Sequence, residues 1–246
     1  MTNLRRQIPD ISPSCNLSHA EFEKGAILNI NKPEGWTSFD VVRKVRNSVR
    51  VKKVGHAGTL DPFATGVLLV CTGKATKRVD ELMAFEKEYV AQVELGKETD
   101  TFDCTGTVVA EHDTAALSSH AVVTVCKQFE GEIWQTPPMY SAVKVNGERL
   151  YRLARKGMTV DRPPRKVTVH RMVILDVELP MVTLKITCSK GTYIRSIAHD
   201  IGARLNSGGH LTALTRTRVG PYTLQDARPL AEFVQKNTNV LNTVDK

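Results

Sequence analysis

The chain has 246 residues, 41% of them hydrophobic and 24% charged, which is an ordinary composition for a globular protein. It contains no run near the ~20 apolar residues that a membrane helix needs, and its N-terminus lacks the apolar core of a signal peptide. These observations argue against membrane-spanning and secreted proteins. The five cysteines are odd in number and form no CxxC pair, which predicts reduced thiols and a cytoplasmic protein.

The net charge of +8 is concentrated in one segment of the chain. Between Lys144 and Arg171 there are nine lysines and arginines against two acidic residues, Glu148 and Asp161, so this segment carries +7 of the total. Such asymmetry favours a polyanionic partner. A solvated basic helix with nearby basic loops would give the same count, so the charge alone leaves both interpretations open.

The first half of the chain predicts strands around one helix. Residues 1–24 are expected to form a loose leader, because prolines and scattered polar residues interrupt them. A helix should begin at Thr37 or Ser38, either of which can cap it. Its predicted apolar face consists of Phe39, Val42, Val45 and Val49. Apolar runs and alternation predict strands at residues 25–30, 67–71, 88–96 and 106–110.

The second half alternates predicted hairpins with isolated helices. Helices are predicted at residues 120–129, 148–156 and 193–205, and a short one near the C-terminus around Leu230 and Phe233. Strands are predicted at residues 139–145, 166–179, 182–189 and 210–219, with a turn at residues 146–147. This mixture favours an α+β fold with a mixed, largely antiparallel sheet flanked by helices.

The most informative motif is the loop at residues 55–62, Gly-His-Ala-Gly-Thr-Leu-Asp-Pro, which precedes the apolar strand at residues 67–71. Gly55 and Gly58 permit tight turns, and Pro62 disfavours a helical backbone at Asp61. The loop therefore presents one carboxylate, that of Asp61, on a stiff backbone beside a core strand. A surface Asp-Pro turn would look the same in isolation, and the remaining motifs decide between the two.

Other kinds of reactive site find little support in the sequence. The seven histidines show no HExxH motif and no Cys/His ligand spacing, so we expect no metal. The run Gly73-Lys74-Ala75-Thr76 differs from a phosphate-binding loop, because Ala75 stands where Ser or Thr should coordinate magnesium. No GxSxG elbow is present for a serine nucleophile. Asp61 is the best candidate for a reacting group.

A carboxylate that reacts in a partly desolvated site needs a cationic neighbour to stay ionised. Residues 189–195 can supply one, because a glycine turn follows a strand there and Arg195 falls in the first turn of a helix. Taken alone, an arginine at this position is more often part of a structural salt bridge. Sequence spacing does not establish that it meets Asp61.

Seven motifs occur in an order that closely resembles the TruB family of tRNA pseudouridine synthases. They lie at residues 28–33, 55–62, 87–89, 99–103, 137–144, 188–195 and 211–217. The resemblance spans roughly residues 25–224. Each motif is weak alone, and their combination in one register makes a chance match improbable.

The resemblance implies a reaction: the isomerisation of uridine 55 in the T-arm of tRNA to pseudouridine, by base flipping and without metal or cofactor. The N-glycosidic bond breaks, the uracil turns over, and C5 of the base rejoins C1′ of the same ribose. Asp61 matches the catalytic aspartate of the family. Whether it attacks a carbon or removes the C2′ proton stays open.

The resemblance also implies roles for other residues. Tyr89 matches the tyrosine that stacks on the extruded uracil, and Arg195 matches the arginine that pairs with the aspartate. Leu214 matches an apolar residue that packs on the base, and His56 matches a residue that enters the T-loop. The further substrate-binding candidates are Lys32 and Tyr193 at the pocket, and Lys144, Arg149 and Arg152 in the basic segment.

The implied architecture is a pseudouridine synthase fold with one catalytic domain at residues 25–225. A basic RNA-binding insertion at about residues 139–171 would grip the T-arm. Residues 226–246 are expected to be a short C-terminal segment without the full PUA-type domain that many relatives carry. We expect a cytoplasmic monomer whose partner is tRNA.

Two other functions remain open. A non-catalytic protein that binds and remodels the T-arm would explain the basic segment, but it leaves Asp61, Tyr89 and Arg195 without a purpose. A hydrolase or glycosylase that uses Asp61 would release free uracil.

Overall fold

The computed structural model describes residues 10–11, 17–145 and 147–244, with side chains for residues 17–145 and 147–237. Its helices are α1 (His19–Lys24), α2 (Ser38–Val49), α3 (Val79–Ala84), α4 (Ser119–Lys127), α5 (Leu150–Arg155), α6 (Ile194–Arg204) and α7 (Leu230–Val244). Its strands are β1 (Asp10–Ile11), β2 (Ile27–Lys32), β3 (Val54–His56), β4 (Thr65–Thr72), β5 (Lys87–Leu95), β6 (Lys97–Thr99), β7 (Val108–Glu111), β8 (Gly131–Gln135), β9 (Lys144–Val145), β10 (Glu148–Arg149), β11 (Arg165–Glu178), β12 (Met181–Cys188), β13 (Gly209–Val219), β14 (Tyr222–Thr223) and β15 (Arg228–Pro229). No helix among the described residues is long and apolar enough to cross a bilayer.

The chain divides into two compact units. Unit 1 comprises Met1–Lys87 and Thr215–Lys246, and unit 2 comprises Glu88–Leu214. Strand β13 continues through the boundary, so its first six residues belong to unit 2 and its last five to unit 1. Residues 25–225, which the sequence predicts as one domain, are therefore distributed over both units.

The sheet of unit 1 follows the order β1-β2-β4-β13. Strands β2 and β3 pair antiparallel with β4, whereas β13 pairs with β4 in parallel through Thr215–Thr65 and Arg216–Gly66. Gly66 has a φ of +102°, and a Cβ there would lie 2.3 Å from the carbonyl oxygen of Arg216. Glycine is therefore what allows β4 and β13 to approach at this point.

Strand β4 is buried on both faces, which explains its uninterrupted apolar sequence. Leu68 and Val70 face one core, where they pack with residues of α2 and with Phe233 of α7. Val67 and Leu69 face a second core, which includes Leu82 of α3. The strand predicted at residues 67–71 is thus confirmed as the centre of unit 1.

The sheet of unit 2 follows the order β13-β5-β12-β11-β8. Strand β11 pairs antiparallel with both β12 and β8, and β6–β7 and β9–β10 form separate antiparallel pairs. Strand β12 buries every second residue, Val182 to Cys188, as the sequence alternation predicts. Helix α4 packs against β11 and α6. The predicted α+β class with a mixed, largely antiparallel sheet is confirmed.

The prediction of a loose leader over residues 1–24 is wrong in two places. Strand β1 pairs in parallel with β2, and α1 starts at a capping box in which Ser18 and Glu21 each bond the backbone of the other. Phe22 of α1 is 4% exposed, and its ring meets that of Phe233 edge-on, with centroids 6.3 Å apart. The capping box and this buried ring anchor the helix. The rest of the predicted leader lies outside the described residues.

Helix α2 begins after the predicted cap, Thr37, and buries three of the four residues of the predicted face, Val42, Val45 and Val49. Phe39 is 62% exposed, and Val41 is fully buried in its place. The buried stripe is Ser38, Val41, Val42, Val45, Ser48 and Val49. Ser38, whose hydroxyl donates to the carbonyl of Leu60, also lies on the buried face, and Phe39 is the one predicted residue that does not.

The start of the basic segment is less regular than the sequence predicts. Of the strand predicted at residues 139–145, the described structure contains β9 alone, and Glu148–Arg149 pairs with it as β10. The predicted helix at residues 148–156 consequently begins later, as α5. The carbonyl of Ser141 accepts instead from the amide of Tyr151 at 3.1 Å. Asn146, in the predicted turn, lies outside the described residues, and Gly147 has a φ of +84°.

Candidate active site

The loop that carries Asp61 is held through its backbone. Ser38, at the start of α2, exchanges two hydrogen bonds with Leu60: its Oγ donates to the carbonyl at 3.2 Å and accepts from the amide at 2.9 Å. The carbonyl of Asp61 accepts from the amide of Ala64 at 3.1 Å. Asp61 itself is partly buried. Its position is therefore set by neighbours on both sides, as the sequence predicts for a stiff loop.

Arg216 of β13 donates hydrogen bonds to the first half of this loop. It is 1% exposed, and each of its three guanidinium nitrogens donates to a backbone carbonyl: Nε to Val67 at 2.7 Å, Nη1 to Thr59 at 3.3 Å and Nη2 to Gly58 at 3.2 Å. Gly58 has a φ of +99°, a backbone that glycine adopts readily. A buried positive charge thus shapes the turn that precedes Asp61.

Lys32, at the end of β2, holds the second half of the loop. Its side chain is fully buried, and Nζ donates to the carbonyls of Pro33 at 2.9 Å, Trp36 at 2.6 Å and Pro62 at 3.1 Å. Burial lowers the pKa of Lys32 to about 8, while the nearby carboxylate of Asp61 acts to raise it. Arg216 adds to the lowering. At neutral pH the ammonium is still largely charged, so Asp61 lies near buried positive charge.

His56 is the second residue of the 55–62 motif and the last residue of β3. Burial lowers the pKa of this histidine, and the charge of Arg216 lowers it further, against a raising contribution from the backbone of Gly58. Its imidazole is therefore neutral at pH 7. A neutral ring at the edge of the Asp61 loop is compatible with the predicted contact to RNA.

In unit 2, Arg195 lies near the start of α6 and is 5% exposed. Its Nη1 donates to the carbonyl of Thr101 at 3.1 Å and lies 3.3 Å from Oδ2 of Asp103. Its Nη2 donates to the carbonyl of Tyr140 at 2.8 Å. The motifs at residues 99–103, 137–144 and 188–195 therefore meet at one guanidinium.

The carboxylate of Asp103 is itself fully bonded. It is 3% exposed, and its Oδ1 accepts from the hydroxyls of Thr101 and Thr105 and from the amide of Thr105. Because the second oxygen faces Arg195, the two residues form a buried ion pair with satisfied hydrogen bonds. This pairing fixes the orientation of Arg195.

The other candidates of unit 2 lie on neighbouring elements. Tyr89 of β5 is 8% exposed and Leu214 of β13 is 7% exposed, and these two strands are adjacent in the sheet. The backbone of Tyr193 exchanges two hydrogen bonds with the side chain of Gln135, whose Nε2 donates at 2.9 Å and whose Oε1 accepts at 2.7 Å. Gln135 is fully buried, so it fixes the turn that leads into α6.

The structure brings the three predicted phosphate-binding residues together. Lys144 and Arg149 are cross-strand partners in β9–β10, and all of Lys144, Arg149 and Arg152 are exposed. Hydrogen bonds from Arg152 and Arg149 lower the pKa of the Tyr151 hydroxyl. Leu150 and Leu153 are buried beneath them. The exposed side chains therefore form a basic surface, and the buried leucines of α5 attach that surface to the rest of the unit.

A groove of about 770 Å³ in unit 1 adjoins the Lys32 anchor of this loop. Its lining includes Lys32, Trp36, Lys44, Leu224, Leu230 and Val234. Asp61 is not among the lining residues, so the groove shares the Lys32 anchor with the loop but does not include the carboxylate.

Two family models match the chain: the N-terminal domain of TruB family pseudouridylate synthases over residues 46–194, and the C-terminal domain of tRNA pseudouridylate synthase B over residues 195–244. The chain belongs to the TruB family of pseudouridylate synthases. Among its curated relatives, tRNA pseudouridine synthase B of Clostridium kluyveri is 50% identical over 211 residues, which cover 86% of this chain and 73% of the relative. The protein of the same name from Bacteroides fragilis is 47% identical over 220 residues, covering 87% and 94%.

Solved structures of larger relatives share the fold. One chain in the crystal structure of a Cbf5-Nop10-Gar1 complex has a TM-score of 0.69 and 31% identity, over 94% of this chain and 61% of that one. A chain in an H/ACA RNP bound to a substrate RNA containing 2′-deoxyuridine has a TM-score of 0.65 and 28% identity, over 92% and 59%. This chain thus spans less than two thirds of those two chains. The TruB membership makes it a pseudouridine synthase, an isomerase.

Sequence reasoning missed one residue beside a candidate in each unit: Asp103, beside Arg195 in unit 2, and Arg216, beside the Asp61 loop in unit 1. Asp103 lies inside a recognised motif, but no pattern distinguishes it from Asp100 in the same polar stretch. Arg216 follows Leu214 by two residues on an alternating strand, so it falls on the buried side of β13, and this signal could have found it. Asp61 lies in unit 1 and Arg195 in unit 2, and the ion pair predicted between them stays a prediction.

Proposed function

We propose that this protein converts uridine 55 in the T-arm of tRNA into pseudouridine. The bond between C1′ and N1 of the base breaks, the uracil rotates, and C5 bonds to C1′. The proton of C5 is lost and N1 gains one, so the product is an isomer and no cofactor is consumed. The names of the curated relatives support tRNA as the substrate class.

The observation that carries the proposal is the Asp61 loop. Arg216 and Lys32 donate to three carbonyls of the loop itself, those of Gly58, Thr59 and Pro62, so the backbone around Asp61 has few alternative positions. A reacting carboxylate must be held in place before the substrate arrives, because misplacement by about 1 Å can lower a rate ~100-fold. The loop supplies that preorganisation.

Asp61 then acts on the ribose of the flipped nucleotide, either at a carbon or at the C2′ proton. Both routes need an ionised carboxylate in a site partly closed to water, and positive charge favours that form. Lys32 supplies part of this charge within unit 1. The proposal further requires the guanidinium of Arg195 to reach Asp61.

Tyr89 and Leu214 are proposed to receive the extruded uracil. Unstacking a base costs roughly a few kcal/mol, and stacking on an aromatic ring returns ~1–3 kcal/mol per base. Both side chains are largely buried, so a base bound between them would be removed from solvent. His56 would enter the space that the flipped nucleotides leave in the T-loop, where its neutral ring avoids an unpaired charge.

The exposed cluster of Lys144, Arg149 and Arg152 is proposed to bind the phosphates of the T-arm. Such contacts position an RNA without reading its sequence, whereas the pocket and the loop shape select the nucleotide. Tyr193 would support the pocket through its bonds to Gln135. The cytoplasmic location and the monomeric state stay predictions.

The test is a comparison of Asp61→Asn with the unaltered protein on tRNA tritiated at C5 of uridine. The unaltered protein should release tritium and form pseudouridine at one position, which sequencing of the product maps. Asp61→Asn should lower the rate by at least about 1,000-fold, because a neutral carboxamide is neither a nucleophile nor a base, while tRNA binding changes little. Asp80→Asn, an exposed carboxylate in α3, is the matched control.

Three results would overturn the proposal. Free uracil in the products would indicate a glycosylase. Tight tRNA binding by the unaltered protein without tritium release would indicate a non-catalytic RNA-remodelling protein. Tritium release from a position other than uridine 55 would leave the chemistry intact and contradict the proposed substrate site.

A further inference from the structure

Helix α6 contacts the segment Thr101 to Asp103 at three points, and Arg195 makes two of them. Arg195 donates to the carbonyl of Thr101 and pairs with Asp103. One helical turn later, the imidazole of His199 stacks on the ring of Phe102, with centroids 4.0 Å apart and planes at 13°. Residues four apart lie on the same face of a helix, so Arg195 and His199 hold the same three-residue segment.

Phe102 has an unusual backbone. Its φ is +63°, a left-handed conformation that is unfavourable for a bulky residue. In this conformation its carbonyl accepts from the amide of Leu211 at 3.1 Å, while its two neighbours both turn toward Arg195. A relaxed backbone at Phe102 would move the carbonyl of Thr101 or the carboxylate of Asp103 away from the guanidinium.

We propose that the stacked Phe102–His199 pair is a positioning device for Arg195, which keeps Phe102 left-handed and thereby keeps Thr101 and Asp103 in register with the guanidinium. The inference rests on the proposed role of Arg195. Phe102 and His199 touch no reacting atom in this scheme; they act through Arg195.

A general packing role fits the two residues less well. Both side chains are only partly buried, so their contact closes little of the core. The near-parallel rings instead give a contact that depends on the direction of the Phe102 ring, and that direction follows from its backbone. The stacked pair therefore restrains the left-handed backbone conformation of Phe102.

The test uses the full chain with His199→Ala, which removes the stack, and His199→Phe, which restores a flat ring without the imidazole. We expect His199→Ala to lower kcat for pseudouridine formation roughly three- to tenfold and to leave KM for the RNA within about twofold, as for loss of one aromatic pair. Hydrogen exchange at the Leu211 amide should accelerate by a similar factor. His199→Phe should recover both values.

Arg204→Ala is the matched control on the same helix, since its guanidinium lies 4.1 Å from the ring centroid of Phe129, in a contact away from the segment 101–103. It should leave kcat and Leu211 exchange unchanged. Phe102→Gly permits the left-handed backbone without a ring. The double variant Phe102→Gly/His199→Ala should have the same kcat as Phe102→Gly alone.

Unchanged kcat and Leu211 exchange in His199→Ala would overturn the inference. If His199→Phe restores the protection of the Leu211 amide but not kcat, the effect belongs to the imidazole itself. If the losses in kcat add in the double variant, the two residues have independent roles. Either result would also overturn the inference. If the unaltered protein forms no pseudouridine, the proposed function fails, whereas the Leu211 exchange still decides whether the stack holds the segment.

Discussion

Two groups of basic side chains in this protein carry the same charge in opposite surroundings. Arg216 and Lys32 are almost completely buried and donate to backbone carbonyls around Asp61. Arg149 and Arg152 lie exposed on the segment 139–171, above two buried leucines. The first pair therefore shapes the chain itself, and the second pair is available to a partner.

The difference in burial has an energetic consequence. Removing a buried donor leaves its acceptors unsatisfied, and each such group costs about 1–3 kcal/mol. Removing an exposed arginine changes stability by less than about 0.5 kcal/mol, because water replaces its contacts. The same substitution should thus affect folding in one region and RNA binding in the other.

Arg216→Met is expected to have the largest effect. It retains much of the side-chain volume but leaves the carbonyls of Gly58, Thr59 and Val67 without their donor, so unfolding free energy should fall by about 3–5 kcal/mol. Activity should fall as well, because the loop would no longer fix Asp61. Urea unfolding measures the first effect and tritium release the second.

The matched control lies two residues further along the same strand. Arg218 is partly exposed, pairs with Glu86 at 2.7 Å and bonds the carbonyl of Gly220. Arg218→Met should cost about 1 kcal/mol or less. Equal losses in the two variants would contradict the assigned role of Arg216.

The Asp61 loop could be predicted from the sequence because local rules determine it. Pro62 restricts its neighbour, Gly58 takes a positive φ, and a doubly buried strand follows. Gly55 was given the same turn-forming role but lies within β3 without a positive φ. Arg216 comes from a strand about 150 residues further along the chain. Local patterns cannot identify a partner at that separation.

For the basic segment, the sequence predicts the charge but not the local structure. Its charge was evident, yet residues 139–143 form no strand, since their backbone bonds the start of α5 and the guanidinium of Arg195. Tertiary hydrogen bonds override the local apolar pattern there. In α2 the pattern misplaces one residue: Phe39 is exposed, whereas Val41 and Ser38, whose hydroxyl bonds Leu60, lie on the buried face.

Lys32→Met should show an intermediate effect that depends on pH. The folded pKa of about 8 lies below the value near 10.4 of an unfolded lysine, so the unfolded chain binds more protons between these pH values. The unfolding free energy of the unaltered protein should therefore rise with pH from about 8 to about 10.4, by up to ~3 kcal/mol, relative to Lys32→Met. Urea unfolding at several pH values measures this difference.

Lys52→Met, at an exposed lysine of the same unit, corrects for the loss of one positive charge. After this correction, a difference that is flat or that falls between pH 8 and 10.4 would contradict the assigned cause, which is burial of the ammonium.

The smallest effect on stability is expected for Arg149→Ala and Arg152→Ala, and here RNA binding carries the information. Each phosphate contact that is lost should reduce the slope of log affinity against log salt concentration by about 0.7–0.9. The kcat at saturating RNA should not change, because neither side chain belongs to the Asp61 loop. Filter binding at several salt concentrations measures the slope, and Lys236→Ala, at an exposed lysine of α7, is the control. An unchanged slope in both arginine variants would place the T-arm elsewhere, since exposed charge that releases no counterions does not contact phosphate.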